Sequence, residues 1–204
     1  MARAKTSKKD QVTKRMPHKF DPENKDLLLS AERRQSLDIH YVMSIIPILR
    51  YHTVADIGCG PGYFSVPLGK YLFDGKVFAL DIQQEMLDAA KKQLDRIHLT
   101  NVELMLTEEA KLPLEDDSID GALVSFAIHE ADNPKTMLAE AKRCLRIDGW
   151  LALLEWHKRE MESGPPLEDR IDEADLRQMA EKAGFRHLTR HSLNKDQYML
   201  VMNK

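Results

Sequence analysis

The chain has 204 residues, of which 43% are hydrophobic and 31% are charged, and this composition is typical of one soluble globular domain. Its formal net charge of −3 gives no overall attraction to nucleic acid. The two cysteines, Cys59 and Cys144, have no paired spacing that indicates a zinc site or a disulfide framework. No apolar run is long enough to span a bilayer. We therefore expect a cytoplasmic protein without a bound metal and without a membrane segment.

The N-terminal region divides into two parts. Residues 1–16 are polar and rich in lysine, which predicts a disordered basic tail; an arm that binds nucleic acid is the less favoured alternative. Residues 17–50 hold scattered apolar side chains and then a helical pattern that ends near Pro47. The apolar face of that helix consists of Ile39, Val42, Met43 and Ile46.

A short apolar strand follows and ends at Asp56, and three glycines then occur in the spacing Gly58-x-Gly60-x-Gly62. Glycine allows a sharp turn and lets the backbone approach a ligand closely. A turn that binds a dinucleotide needs Gly-x-Gly-x-x-Gly or Ala, whereas the bulky Tyr63 follows here. The charge of Asp56 would repel a phosphate and attract a cation. The pattern therefore favours an uncharged or cationic nucleoside over a diphosphate.

Strands and helices alternate through the rest of the chain, which predicts a parallel sheet. The last two predicted strands lie close enough in sequence to form an antiparallel hairpin. The predicted strands after the glycines are 76–81, 102–106, 119–126, 150–154, 186–192 and 197–202. The predicted helices begin near residues 64, 134 and 173, and Asn133 and Asp172 have the side chains of N-caps. A further helix is predicted around the apolar face Met86, Leu87, Ala90 and Leu94.

The acid, the glycine spacing and the preceding strand together resemble the first motif of class I S-adenosylmethionine-dependent methyltransferases, in their type 11-like small-molecule branch. The resemblance extends over about residues 53–204. It implies that 51–204 form a methyltransferase domain that binds S-adenosylmethionine. The implied fold is α/β, with a Rossmann-like doubly wound seven-stranded sheet, mostly parallel and with an antiparallel C-terminal hairpin. It also implies that 17–50 form a helical lid over the cofactor; a plain packing segment is the alternative.

Asp81 ends the second strand, and ligands of open α/β sheets bind beyond the carboxyl ends of the strands. The resemblance implies that Asp81 accepts hydrogen bonds from the ribose hydroxyls and that Ile82 packs against the adenine ring. The alternative for Asp81 is an acid that caps the next helix. Glu108 and Glu109 occupy the place where many relatives have an Asp-Ala pair beside the adenine. The other implied cofactor contacts are Asp56, Gly58, Cys59, Gly60, Gly62, Phe64 and Phe126.

The methyl acceptor is expected beyond the fourth and fifth strands. His129 and Glu155 are the candidates for a general base, and packing is the alternative for the histidine. Trp156 and His157 are candidates for contacts with the acceptor, and Phe20 is the candidate lid residue. The irregular run 162–166 lies where similar enzymes build acceptor pockets, or it is an ordinary surface loop.

Two other functions are compatible with parts of the pattern. An NAD-type oxidoreductase is disfavoured by Tyr63, Asp56 and the terminal hairpin, whereas a cofactor-binding domain without turnover stays open. Within the methyltransferases, nucleic-acid bases are disfavoured as acceptors because residues 126–129 replace the Asn-Pro-Pro-aromatic signature. Arsenite is disfavoured because several cysteines would be needed. A small organic acceptor is therefore expected.

Overall fold

The computed structural model describes residues 17–109 and 111–204, so the predicted basic tail of residues 1–16 lies outside the described residues. Within them, none of the helices combines the length and the apolar character needed to cross a membrane. One seven-stranded sheet runs through the molecule, with helices on both of its faces.

Seven strands and six α-helices follow one another along the described chain. The strands are β1 (Thr53–Ile57), β2 (Lys76–Asp81), β3 (Val102–Leu106), β4 (Ile119–Ser125), β5 (Leu145–Trp156), β6 (Arg186–Ser192) and β7 (Gln197–Asn203). The helices are α1 (Ala31–Ser36), α2 (Ile39–Ile45), α3 (Ser65–Tyr71), α4 (Gln84–Arg96), α5 (Pro134–Cys144) and α6 (Glu173–Lys182). Two 3-10 helices span Pro22–Leu29 and Ile128–Glu130.

The strand order is β3-β2-β1-β4-β5-β7-β6. The first five strands in this order pair in parallel, and β7 pairs antiparallel with both β5 and β6. The chain reverses its direction across the sheet between β1 and β4, and open α/β sheets bind ligands in the crevice at such a point. The predicted fold, including the antiparallel C-terminal hairpin, is confirmed.

Apolar side chains cover both faces of the sheet because the central strands are buried on each side, as parallel strands require. One cluster packs α5 and α6 against the sheet, and a second packs α2, α3 and the segment before β1 against the other face. Leu37 and Val42 belong to the second cluster and are almost fully buried. The residues just before β1 are therefore anchored to the domain.

The fifth strand begins earlier than the sequence indicates. Asp148 and Gly149 stand before the predicted start of this strand at residue 150, and their sequence indicates a turn. In the structure they form a bulge inside β5, because Ile119 pairs with Leu145 whereas Gly121 already pairs with Trp150. Asp148 has a φ of +64° there, a conformation that aspartate tolerates better than most residues. The bulge lets the strand pair with β4 on both sides of the irregularity.

Candidate functional site

The glycine turn, residues 58–62, leaves the carboxyl end of β1 beside the end of β2. The amides of Gly58 and Cys59 both donate to the Leu80 carbonyl, at 2.8 and 2.9 Å. Gly58, Gly60 and Gly62 have φ values of +71°, +53° and +89°, which glycine adopts without the penalty that a Cβ brings. The predicted sharp turn is thus present, and all three glycines are needed for its backbone.

The space around the turn differs from one glycine to the next. A Cβ on Gly58 would lie 2.5 Å from the Ala127 Cβ, so the turn and the residues after β4 are in close contact there. A Cβ on Gly60 would meet only the end of the Leu28 side chain, at 3.7 Å. The backbone at Gly60 therefore faces a flexible side chain of the N-terminal region, which a ligand is able to displace.

Asp81 supports the turn from β2. Its Oδ2 accepts from the Gly60 amide at 2.8 Å, and its Oδ1 accepts from the Gln83 amide at 2.9 Å. Burial raises the pKa of this carboxyl, although the backbone amides counteract the shift. Each carboxylate oxygen has more than one lone pair, so the two amides leave acceptor capacity for a ligand. The Gln83 amide belongs to the residue just before α4, and contact of Asp81 with the ribose stays a prediction.

Asp56 lies beneath the turn and is fully buried. Ser65 donates to its Oδ2 at 2.6 Å, while its Oδ1 has no hydrogen-bond partner among the described residues. Burial raises the pKa of Asp56 to about 7, against the opposing hydrogen bond from Ser65, and the charge of Asp81 raises it further. The negative charge that the sequence argument gave to Asp56 is therefore much reduced at neutral pH.

This raised pKa makes stability depend on pH in a defined window. The unfolded chain releases the Asp56 proton above pH 3.8, whereas the folded protein keeps it up to a pH of about 7. The free energy of unfolding therefore falls as pH rises from about 4 to about 7, by up to about 4 kcal/mol. We expect Asp56→Asn to remove this fall in urea denaturation series at pH 5, 6, 7 and 8. Asp74→Asn, at an exposed carboxylate, is the control. Parallel pH profiles for wild type and Asp56→Asn would contradict the assignment.

Two other predicted cofactor contacts are also buried. Cys59 is 5% exposed and packs with Ala79 and Leu87. Phe64 is 1% exposed and lies in the core beside Leu68. Their side chains support the turn from inside the core, and direct contact of the Phe64 ring with a cofactor would require this core to open.

The region expected to hold the adenine lies beyond β2 and β3. The Ile82 side chain is 40% exposed, so it is available to cover a flat ring. The Glu108 side chain is exposed, and its backbone forms an isolated antiparallel β-bridge with that of Lys111. Glu109 instead forms an ion pair with Lys19 and accepts a hydrogen bond from the Asp132 amide. The two acids at this position therefore differ, because only Glu109 binds the N-terminal region.

The N-terminal segment, residues 17–37, lies across these elements. The Phe20 amide donates to Glu130 Oε2 at 3.0 Å, and the Phe20 carbonyl accepts from Gln83 Nε2 at 3.1 Å. Burial raises the pKa of Glu130, against the hydrogen bond from Phe20. Together with Lys19 and Leu28, these contacts join the segment to both sides of the glycine turn.

A cation lies between aromatic rings at the β4 side of the turn. The Arg33 guanidinium is 5.0 Å from the centroid of the Tyr63 ring and 5.2 Å from that of Phe126. Phe126 packs in turn on Trp156, with 5.4 Å between their ring centroids, and Trp156 lies under Gly164. Arg33 was not predicted from the sequence, because a charged residue on a short polar helix gives no signal of this position.

His129 and Glu155, the predicted candidates for a general base, form a buried pair. His129 Nδ1 lies 2.8 Å from Glu155 Oε1 and 3.0 Å from Oε2. Its Nε2 lies 3.9 Å from Glu130 Oε1. Burial lowers the pKa of His129, but the charge of Glu155 and the hydrogen bond to it outweigh burial, so the net pKa is raised. The structure thus brings both residues together at the ends of β4 and β5.

The loop after β5 is held by an arginine that the sequence did not single out. Arg170 is 4% exposed, and its guanidinium donates to the carbonyls of Pro165, Ser163 and Arg159 at 2.9, 3.1 and 2.8 Å. His157 lies beside this loop and packs on Tyr198, with 5.0 Å between the ring centroids. The predicted acceptor loop is therefore a fixed structure next to Trp156.

Comparisons with known proteins identify methyltransferases among the proteins that this chain resembles. A family model described as a methyltransferase domain matches residues 55–153. A crystal structure of a SAM-dependent methyltransferase from Aquifex aeolicus is 32% identical, with a TM-score of 0.86, and the match covers 91% of this chain and 99% of that chain.

Curated relatives match over shorter parts. A demethylmenaquinone methyltransferase of Bacillus mycoides is 24% identical over 76% of this chain and 65% of its own length. The biotin biosynthesis bifunctional protein BioHC of Teredinibacter turnerae is 33% identical over 50% of this chain and 19% of its own length. The chain thus spans less than two thirds of the length of these curated relatives.

The backbone of the glycine turn and the carboxylate of Asp81 fit a nucleoside with free ribose hydroxyls. A Cβ on Gly60 would make one ordinary contact, with the end of the Leu28 side chain, and Asp81 retains acceptor capacity beside this glycine. Among residues 17–109 and 111–204, no group of three metal-ligating side chains lies together. The chain belongs to the S-adenosylmethionine-dependent methyltransferase family, and its cofactor is S-adenosylmethionine.

Proposed function

We propose that the protein transfers a methyl group from S-adenosylmethionine to a small organic acceptor. The observation that carries this proposal is the position of the N-terminal segment, which joins both sides of the glycine turn through Phe20 and Lys19. A site covered in this way suits a small molecule better than a nucleic-acid duplex or a folded protein. Relatives named demethylmenaquinone methyltransferase support an acceptor of the quinone-precursor kind.

When bound, the cofactor supplies a methyl group on a sulfonium, whose bond to carbon breaks as the bond to the acceptor forms. The protein's part is to align the acceptor and to exclude water. Tyr63, Phe126 and Trp156 provide apolar walls at the β4 side of the turn. We assign the removal of the acceptor's proton, where it has one, to His129, which Glu155 holds in place.

Transfer is tested by incubating the purified protein with isotopically labelled S-adenosylmethionine and metabolite extracts, followed by mass identification of the labelled product. The expected result is a labelled small molecule together with S-adenosylhomocysteine. Binding of S-adenosylhomocysteine without any labelled product from a broad set of extracts would instead support a cofactor-binding domain without turnover. Stabilisation by NAD and not by S-adenosylhomocysteine in thermal shift would favour the oxidoreductase alternative.

Asp81 gives a direct prediction for cofactor affinity. We expect Asp81→Ala to weaken binding of S-adenosylhomocysteine by about 1.5–3 kcal/mol, since hydrogen bonds to a charged acceptor are lost, and the turn also loses the support of Gly60. Calorimetric titration measures the change. Asp88→Ala, at an exposed carboxylate on the neighbouring α4, is the control. Equal affinities for Asp81→Ala and Asp88→Ala would remove Asp81 from the cofactor site.

We also propose that residues 17–36, a shorter segment than the 17–50 expected from the sequence, act as a lid that ends at the buried Leu37. The 3-10 helix Pro22–Leu29 has no buried residue, and its Leu27 is 62% exposed, so few apolar contacts hold it closed. Segments of this kind open at low free-energy cost. A bound cofactor would add buried surface beneath the segment and favour the closed state.

If this segment is a lid, ligand binding should protect residues 20–29 from hydrogen exchange. We expect saturating S-adenosylhomocysteine to slow hydrogen exchange and proteolysis across residues 20–29, because the ligand offsets the entropy of ordering them. Residues 97–101, at the opposite end of α4, are an internal reference. Equal exchange across residues 20–29 with and without ligand would leave the segment as plain packing.

The cytoplasm is the location that we propose, since the two cysteines, Cys59 and Cys144, are free and buried and a cofactor such as S-adenosylmethionine is used inside cells.

A further inference from the structure

Glu130 lies between the N-terminal segment and the candidate base. Its Oε2 accepts from the Phe20 amide at 3.0 Å, and its Oε1 lies 3.9 Å from His129 Nε2. The side chain is 26% exposed and follows His129 directly in the short helix Ile128–Glu130. One carboxylate thus faces both the segment that covers the site and the ring to which the acceptor's proton is assigned.

The charge of His129 changes during the proposed reaction. Its Nδ1 contacts Glu155 Oε1 at 2.8 Å, so the acceptor's proton is taken up at Nε2. The bond between that proton and the acceptor breaks, a bond to Nε2 forms, and the ring becomes an imidazolium. A separation of 3.9 Å is too long for a hydrogen bond, whereas an imidazolium and a carboxylate approach to about 2.8 Å. A charged ring therefore attracts Oε1 by about 1 Å.

The Phe20 peptide is held in place when Glu130 moves in this way. Its carbonyl accepts from Gln83 Nε2 at 3.1 Å, on the β2 side of the turn. The preceding Lys19 forms an ion pair with Glu109. A movement of Glu130 towards His129 by about 1 Å would therefore lengthen its contact with the Phe20 amide from 3.0 Å beyond a normal hydrogen bond. The amide and the charged ring thus compete for one carboxylate.

Other charged groups face His129 or Glu130 from the neighbouring elements. The acids are Asp81, Glu155 and Asp169, and the cations are Lys19 and Arg33. Burial lowers the pKa of His129, but the carboxylates around it outweigh burial. The ring is therefore charged at pH 6 and loses its proton as pH rises through the raised value. Among these groups, only His129 gains a positive charge when the acceptor's proton is taken up.

We propose that Glu130 links proton uptake at His129 to release of the N-terminal segment. While the ring is neutral, Glu130 holds the Phe20 amide and the segment stays closed over the site. Once the ring is charged, Glu130 turns to Nε2, and the segment opens for the product to leave. Glu130 is a positioning residue in this scheme, since it acts through the ring and the segment. The inference rests on the proposed function of His129 as the base.

The test measures hydrogen exchange across residues 20–29 at pH 6 and at pH 9, in the full chain saturated with S-adenosylhomocysteine. Rates are corrected for the intrinsic effect of pH and compared with those of residues 97–101. We expect wild-type protection to be about three- to tenfold lower at pH 6, because one hydrogen bond of the segment is lost. In Glu130→Gln the amide oxygen still accepts from Phe20 but is not attracted to a cation as a carboxylate is, so protection should be equal at both pH values.

Glu109→Gln is the matched control, because Glu109 holds the same segment through Lys19. This variant should lower protection at both pH values and keep the difference between them. Asp56 also titrates in this range, but it does so in every variant and therefore cancels in the comparison. The experiment needs neither acceptor nor turnover, so its outcome is independent of whether labelled product forms.

A second variant excludes titration of Glu130 itself, since a proton on this carboxyl would also weaken its hold on Phe20 at pH 6. His129→Gln combined with Glu155→Gln removes the buried ion pair as a whole, so neither partner is left charged and unpaired. Protection in this double variant should not depend on pH. A dependence that persists there would overturn the proposal. Equal wild-type protection at both pH values, or an undiminished difference in Glu130→Gln, would overturn it as well.

Discussion

Replacing Glu155 with alanine is expected to lower the free energy of unfolding by about 3–5 kcal/mol, the usual cost of removing one partner of a buried ion pair. Glu155 is fully buried and holds His129 through Nδ1 at 2.8 Å. It also accepts from the Trp156 amide at 3.1 Å. Alanine leaves the imidazole and this amide without their acceptor at the ends of β4 and β5.

Urea denaturation of Glu155→Ala measures this loss, and Glu168→Ala, at an exposed carboxylate in the following loop, is the control. Glu155→Gln keeps the size of the side chain and removes its charge. The raised pKa of His129 contributes stability that is present below its ordinary value of 6.5 and is lost as pH rises through the folded value. This loss of stability with rising pH should be smaller in Glu155→Gln.

A further readout addresses the assignment of His129 as the base. The neutral imidazole is the form that accepts a proton, so turnover in the wild type should rise as pH climbs through the raised pKa. Without the charge of Glu155 that pKa falls, and the rise in turnover should move to lower pH in Glu155→Gln. If the profile stays in place, the pair supports the ends of the strands and does not take part in proton transfer.

The sheet could be predicted from the sequence because its signals are local. Apolar runs such as those around Val77 and Leu123 alternate with helical patterns, and caps such as Asn133 mark where helices begin. The bulge at Asp148 could not be predicted, because Asp-Gly in sequence indicates a turn. Only the pairing of Ile119 with Leu145 places that dipeptide inside a continuous strand.

The candidate site was predictable in its backbone and less so in its side chains. The glycine spacing and Asp81 are close in sequence to the strands that position them. The sequence does not show that the Asp56 carboxyl is fully buried and that its pKa rises to about 7. Contacts of Arg33 and Phe20 join parts of the chain far apart in sequence, and no local pattern indicates them.

The second large effect is expected on cofactor affinity, when Gly60 in the glycine turn is replaced. Gly60→Ala is expected to weaken cofactor binding by about 10–100-fold, since a new methyl group in a filled contact costs about 1–3 kcal/mol. In the free protein this Cβ meets only the Leu28 Cδ1, at 3.7 Å. The backbone conformation, with a φ of +53°, adds about 1–2 kcal/mol of instability for any residue other than glycine.

Gly184→Ala is the control that separates the loss of cofactor affinity from the loss of stability. Gly184 has a φ of +89° after α6, so alanine is strained there as well. Its Cβ would lie 2.2 Å from Lys142 Nζ, which would have to leave the Ala183 carbonyl. Both variants should lose stability in urea, Gly184→Ala at least as much as Gly60→Ala, whereas only Gly60→Ala should lose affinity for S-adenosylhomocysteine in calorimetry. A Gly60→Ala protein that is destabilised like Gly184→Ala yet binds the ligand normally would show that the cofactor does not approach the turn at Gly60. Loss of affinity in Gly60→Ala alone would place the cofactor against the backbone between Cys59 and Pro61, where only a residue without a side chain leaves it room.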